Sequence, residues 1–258
     1  MRSQDIYNYW NQKAEKLGTD PSATMKDVIL RSIEIESIGD RLKADDVLLD
    51  IGAGNAFASL EWARRCKMVV ALDFSPKMIE AAQEAIAASR RDNIRAEHGD
   101  ILNLSQYAGK FTAVSSVRCL INMASEEDQY LAINQLAKEL RPNGRLFLIG
   151  GLAETFDALN KTRQQAQLLP ISLNWHNRLF SRETLENWLA ELFTIEESVD
   201  FGEYYFLSRI VHPLLVAPGE PDFTGQLNIV AKRIWQSGIA RGRFDFMSAL
   251  KLYVCKRR

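Results

Sequence analysis

The sequence is short of cysteine, has no excess of either charge and contains no long apolar run, and each shortage closes off a class of function. Cys66, Cys119 and Cys255 are the 3 cysteines among 258 residues. They are odd in number, far apart and without C-x-x-C spacing, so they indicate neither a disulfide framework nor a zinc site, and a reducing, cytoplasmic setting is expected. The 32 Lys and Arg face 33 Asp and Glu, a formal net charge of -1. That balance lacks the basic excess needed to neutralise many phosphates, so extended DNA or RNA is not the expected partner. No stretch approaches the ~20 apolar residues that cross a bilayer, and the polar residues 1–5 lack the apolar core of a secretory signal, so membrane insertion is not expected. The three histidines, His98, His176 and His212, are not spaced as metal ligands, and no required metal is expected.

What remains is a chain with 47% hydrophobic residues and 25% charged ones. It is long enough for one large domain with a substantial core and inserted caps, and needs no disulfides for stability. Residues 46–51, DVLLDI, are an apolar run closed by an acid and followed by Gly52-Ala53-Gly54, which predicts a buried strand entering a tight turn. Helical spacing follows over 57–67, then a second buried run, 68–72, ending at Asp73. Ser75-Pro76 opens the next helix: Ser75 caps free N–H groups, and Pro76 at the first helical position sacrifices no hydrogen bond. Strand-like runs at 94–97 and 111–117, a helix over 126–140, a turn at Pro142-Asn143-Gly144 and a strand over 145–149 continue the alternation.

Strands alternating with helices at this interval predict an α/β fold, a doubly wound and mostly parallel sheet with helices on both faces. Ligands bind such sheets at the C-terminal ends of the strands. Asp50, Asp73, Asp100 and Arg118, scattered in sequence, are therefore expected on one rim. Beyond Gly151 the rhythm breaks. A helix over 153–169 precedes an irregular stretch, 170–180, and a helix over 182–193. A second irregular insertion follows Gly202, with Tyr204-Tyr205, a loop over 213–221 and a helix over 226–236, before a last strand at 250–255. With no repeat, low-complexity tract or linker, these insertions read as caps on a single domain.

Asp50-Ile51-Gly52-Ala53-Gly54-Asn55-Ala56 resembles the first motif of class I methyltransferases that use S-adenosylmethionine. The resemblance continues, in the same order, through Asp73-Phe74-Ser75-Pro76-Lys77-Met78, Gly99-Asp100-Ile101, the segment FTAVSSVRCLIN at 111–122 and Leu140-Arg141-Pro142-Asn143-Gly144. It covers roughly residues 46–151 and departs from the family's usual Asp at Thr112 and Gly at Asn143. It implies a seven-stranded Rossmann-like sheet with caps after the fifth and sixth strands: lid helices over 1–45, a cofactor core over 46–151 and substrate caps over 152–181 and 203–243. A dinucleotide site is the competing reading of the glycine loop, but Phe57 stands where its fingerprint needs a third glycine.

By this resemblance Gly52 and Gly54 let the backbone approach the cofactor, and Asp50 holds its ammonium. Asp73 takes both ribose hydroxyls, because a carboxylate offers two acceptors to two adjacent donors. Asp100 accepts from the adenine amine, with Phe74, Met78 and Ile101 around the ring. Asn55, Val117 and Arg118 complete the cofactor set, and Arg31 faces its carboxylate. Tyr7, Tyr9 and Trp10 close over the ligand as a lid. His176 is the candidate base for a hydroxyl acceptor, its competing role being to pack the cap beside Trp175. Asn122, Asn160, Arg163, Tyr204, Tyr205 and Arg209 are the candidate acceptor-binding residues, the arginines suiting an acidic group. The segments RCLINM, WHNRLF and YYFLSR also resemble a bacterial subgroup found among surface-polysaccharide functions, which implies a sugar acceptor or a group attached to one. Three further functions compete: an NAD-dependent oxidoreductase, disfavoured by the missing third glycine and the downstream motifs, a non-catalytic cofactor-binding or assembly protein, and a nucleic-acid methyltransferase. The last is disfavoured by Ser116-Val117-Arg118-Cys119 where an N-P-P-Y-like motif belongs.

Overall fold

The apolar runs become the strands of one seven-stranded sheet in a computed structural model that describes residues 2–104 and 107–258; Met1, Ser105 and Gln106 lie outside the described residues. The strands are β1 (Val47–Ile51), β2 (Met68–Asp73), β3 (Ile94–His98), β4 (Phe111–Val117), β5 (Leu140–Gly151), β6 (Phe193–Asp200) and β7 (Leu250–Arg257). Their spatial order is β3-β2-β1-β4-β5-β7-β6. β7 runs antiparallel to β5 and β6, and the other pairs are parallel. The protein is thus an α/β, doubly wound, mostly parallel Rossmann-like fold.

The helices are α1 (Arg2–Leu17), α2 (Val28–Gly39), α3 (Phe57–Trp62), α4 (Pro76–Ser89), α5 (Glu126–Glu139), α6 (Ala153–Gln165), α7 (Arg182–Leu192), α8 (Gly202–Tyr205), α9 (His212–Val216) and α10 (Gln226–Ser237). Because side chains alternate across a strand, each buried strand feeds two cores. Leu49, Val70, Val114 and Leu148 pack with Ile133 and Leu136 of α5 and Leu185 of α7. Their neighbours Leu48, Val69, Ala113 and Phe147 pack on the opposite face with Leu30 and Ile33 of α2, Trp62 and Tyr204. A run buried on both faces therefore reads as continuously apolar, which is why β1 and β2 stand out in the sequence.

Three differences from the sequence-based expectation have local causes. α3 stops at Trp62 rather than 67, because beyond it the Arg64 and Arg65 N–H groups donate to the carbonyls three residues back, of Glu61 and Trp62, at 3.2 and 2.8 Å, and the chain leaves the helix in tight turns. β5 begins at Leu140, so Pro142-Asn143-Gly144 lies inside the strand, where the register with β4 shifts between Phe111 and Ala113 and Asn143 takes φ 62. The stretch after Gly202 is not irregular: α8 runs through a π-helical turn, Phe206–Val211, into α9. Pro213 has no N–H to offer the carbonyl four residues earlier. That carbonyl, of Arg209, accepts instead from the Arg163 guanidinium. A widened turn next to a proline is a common accommodation. Among the described residues, no helix is long and apolar enough to cross a membrane.

Candidate active site

At the C-terminal ends of β1, β2 and β4 a cleft of about 440 Å³ opens under α1 and α2, within the range of small-molecule and cofactor sites. β1 delivers Asp50 and then turns sharply: the Gly52 and Ala53 N–H groups both donate to the Leu72 carbonyl of β2, at 2.8 and 3.1 Å. Gly52 and Gly54 take φ 71 and 58 in this turn. A Cβ on Gly52 would lie 2.6 Å from the Cβ and Sγ of Cys119, and one on Gly54 2.8 Å from the Thr24 methyl. Glycine is therefore required twice over at each position.

Asp73, at the end of β2, accepts from the Gly54 N–H at 2.8 Å through one oxygen and from the Ser75 N–H at 2.9 Å through the other. The carboxylate thus fixes the glycine turn and the start of α4 together. Burial raises its pKa, and the two backbone bonds oppose that rise. Asp50 accepts from the Ser59 and Ser115 hydroxyls at 2.5 and 2.9 Å. Burial nonetheless lifts it to about 6. The third acid, Asp100, follows β3 and lines the cleft with Ile101.

Of the residues singled out in the sequence, Arg31, Asp50, Gly52, Gly54 and Asp73 line the cleft together. So do Phe74, Met78, Asp100 and Ile101 on its β2–β3 side, and Val117, Arg118, Asn122 and His176 on its β4 and cap side. His176 is 4% exposed and lies against the lid, its ring 4.5 Å from that of Tyr9 and 5.7 Å from that of Trp10. Tyr7 and Trp10 line the cleft, while Tyr9 stands behind them, packed on Trp10, Trp175 and His176. Asn55 faces away, donating to the Gly18 and Asp20 carbonyls and so tying the segment between α1 and α2 to the glycine turn.

The remaining candidates are held outside the cleft lining. Asn160 pairs with both backbone groups of Ile171, at 2.8 and 3.0 Å, and staples the irregular stretch to α6. Arg163 serves the Leu169 and Arg209 carbonyls. Tyr204 donates to Asp27 at 2.7 Å, and Arg209 pairs with the other oxygen of the same carboxylate at 2.6 Å. Tyr205 is buried in the core near enough to Glu34 and Arg118 to feel their charges.

Sequence reasoning passed over Glu34, Asn174 and Asn177, which also line the cleft. Glu34 carries a readable signal, a charge set between two isoleucines, Ile33 and Ile35, in the buried part of α2. Asn174 and Asn177 carry none, because their stretch has no period to place them. Among the described residues no group of three or more His, Cys, Asp or Glu is arranged to hold a metal ion.

Such a sheet, with one antiparallel strand and three acids spaced along the rim of β1, β2 and β3, defines a nucleotide-cofactor-binding α/β protein. The chain matches, over residues 48–144, the protein family described as "Methyltransferase domain". It is 31% identical over 144 residues to the 27-O-demethylrifamycin SV methyltransferase of Amycolatopsis mediterranei, an alignment covering 55% of this chain and 49% of that one. The chain spans about half the length of the relatives it matches. Two solved structures share its fold. The N-methyltransferase NodS of Bradyrhizobium japonicum, in complex with S-adenosylhomocysteine, has a TM-score of 0.61 at 15% identity, with 98% of each chain covered. The cyclase SpnF has a TM-score of 0.56 at 16% identity, covering 86% of this chain and 79% of its own.

The residues present fit S-adenosylmethionine as cofactor. Bare glycine backbone at the turn, an acid at the end of β2 and a carboxylate–guanidinium set at the α2 end of the cleft provide acceptors and charges for a ribose and an amino-acid group.

Proposed function

We propose that the protein transfers a methyl group from S-adenosylmethionine to a small polar acceptor, through an oxygen of a sugar or of a group attached to one. The observation that carries this reading is the placement of His176 and three amides, Asn122, Asn174 and Asn177, in the same cleft as the rim acids. Amides that both donate and accept suit a neutral, polyhydroxylated acceptor. An acidic sugar fits less directly, because Arg163 and Arg209 are engaged with backbone carbonyls and Asp27. The name of the rifamycin relative records an O-methylation, which favours oxygen over nitrogen.

When bound, S-adenosylmethionine supplies an electrophilic methyl group on a sulfonium. Asp73 accepts the ribose hydroxyls while remaining braced by the Gly54 and Ser75 N–H groups. Tyr7 and Trp10 cover the cleft and exclude water. His176 takes the acceptor's hydroxyl proton on an imidazole nitrogen, its ring packed against Tyr9 and Trp10 of the lid. Positioning of acceptor against methyl does much of the remaining work.

The test is mass-resolved transfer from isotope-labelled S-adenosylmethionine into a panel of sugars, nucleotide sugars, glycosides and amines, after calorimetry has verified cofactor binding. A labelled sugar ether is the expected product. His176→Gln should lower turnover by about 10²- to 10⁴-fold with S-adenosylhomocysteine affinity unchanged. A labelled amine, or full turnover by the variant, removes the oxygen reading or the base respectively.

A further inference from the structure

Glu34 projects from the middle of α2 into the cleft and is 1% exposed. Neither of its carboxylate oxygens receives a hydrogen bond. Its ion-pair partner is Arg118, whose Nε lies 3.3 Å away without hydrogen-bond geometry. A carboxylate stripped of water and given no donor is costly to a folded protein, and burial drives its pKa up against the pull of Arg118 and Arg31. A buried polar group left bare in a cleft is one that a ligand's donors complete.

Its surroundings indicate which donors. Arg31, one helical turn earlier on the same face, is also buried and lines the cleft, and its charge acts on both Glu34 and Asp50. The wall at this end therefore offers guanidinium, carboxylate and guanidinium side by side. A ligand group that carries one carboxylate and one ammonium matches that set with no net change of charge. Asp50, the other acid near Arg31, is already served by two hydroxyls, one on each oxygen. Glu34 has none.

We infer that Glu34 receives the α-ammonium of S-adenosylmethionine, beside Arg31 as the cation facing its carboxylate, and that Glu34 is the residue by which the cleft selects a cofactor with an intact amino-acid end. This rests on the cofactor reading given above and adds to it a specificity-determining residue on α2. Asp50 then serves chiefly to hold the end of β1 and the turn after it.

The test needs no turnover. Calorimetric affinities are compared for S-adenosylhomocysteine, its deaminated analogue and methylthioadenosine, which lacks the amino-acid end, on the full chain and on Glu34→Gln and Asp50→Asn. In the unaltered chain deamination should weaken binding by roughly 10- to 100-fold, the range of a charge-assisted hydrogen bond. Glu34→Gln should bind S-adenosylhomocysteine weaker by the same factor, should no longer distinguish the deaminated analogue, and should bind methylthioadenosine as the unaltered chain does. Asp50→Asn should still distinguish the two. If Glu34→Gln discriminates as before, or Asp50→Asn alone loses discrimination, the inference is overturned and the cofactor reading stands. If the unaltered chain binds neither S-adenosylhomocysteine nor methylthioadenosine, both fall together. Should Glu34→Gln not fold, Glu34→Asp, which withdraws the carboxylate by one methylene, is expected to show reduced discrimination, and unreduced discrimination overturns the inference.

Discussion

Asp50 shows how burial at the rim translates into pH dependence. Its ordinary value is 3.8, and desolvation lifts it to about 6 despite two serine hydroxyls. Between those values the folded protein keeps a proton that the unfolded chain has released, so stability falls as pH rises through that window. The contribution is fully present below about 4 and lost by about 6. Asp50→Asn should flatten that part of a plot of melting temperature against pH, and an unaltered slope would sink the assignment. Asp73 and Glu34, also raised by burial, leave a residual slope of the same sign. Gly52 is constrained differently, by its φ of 71 and by Cys119. Gly52→Ala should cost about 2 kcal/mol or more, the sum of left-handed backbone and a displaced neighbour. Cys119→Gly, which removes both colliding atoms, should recover part of that loss in urea unfolding.

At the scale of elements, α2 is the piece on which the candidate site most depends. Its N-cap Asp27 accepts from the Leu30 N–H at 2.9 Å, the Tyr204 hydroxyl and Arg209. One carboxylate therefore starts the helix and binds it to α8 and the π-helical turn. Asp27→Ala removes a cap and strands a buried guanidinium and phenol, an expected loss of about 3 kcal/mol or more by chemical denaturation. A loss within about 0.5 kcal/mol, typical of surface changes, would show the cap contacts to be incidental. Such a contact was invisible in the sequence, since Asp27 lies far from Tyr204 and Arg209 along the chain. The same is true of Arg163, one of whose two carbonyl partners belongs to Arg209, far along the chain. By contrast β1 and β2 were legible, because burial on both faces leaves apolar runs that reach Asp50 and Asp73, and β4 was legible as a short strand-like run ending at Val117. β6 escaped notice for the opposite reason: it is an edge strand, and FTIEESVD follows its exposure rather than any apolar period. Motif order revealed the rim acids, whereas the interior of a cap with no periodicity hid Asn174 and Asn177.

For the whole molecule, the cleft gathers residues from α1, α2, the ends of four strands and the 174–177 stretch. A ligand filling it therefore binds the two cores and the lid into one unit. S-adenosylhomocysteine at a hundredfold excess over its Kd should add about 2.7 kcal/mol and raise the melting temperature by roughly 5–10 °C for a chain of this size. A shift confined to a degree or less at saturation would argue that the cleft does not take this ligand. α1 should gain the most protection from amide exchange, because its contacts to the rest include the Asn11 side-chain Oδ1 accepting from the Ser75 hydroxyl at 2.7 Å, a point next to the cofactor rim.

The insertion of β7 between β5 and β6 has a consequence of another kind. Arg145 of β5 pairs with Lys256, and Phe193 of β6 with Arg257, so neither β5's outer edge nor β6 finds its neighbour until a strand from much later in the chain arrives. Closing such long loops is slow. Until it happens, β5 presents an apolar strand with unpaired backbone groups, the template on which strands of other chains add. The protein's exposure to aggregation while folding is thus concentrated at the β5 edge, on the far side of β4 from the glycine turn.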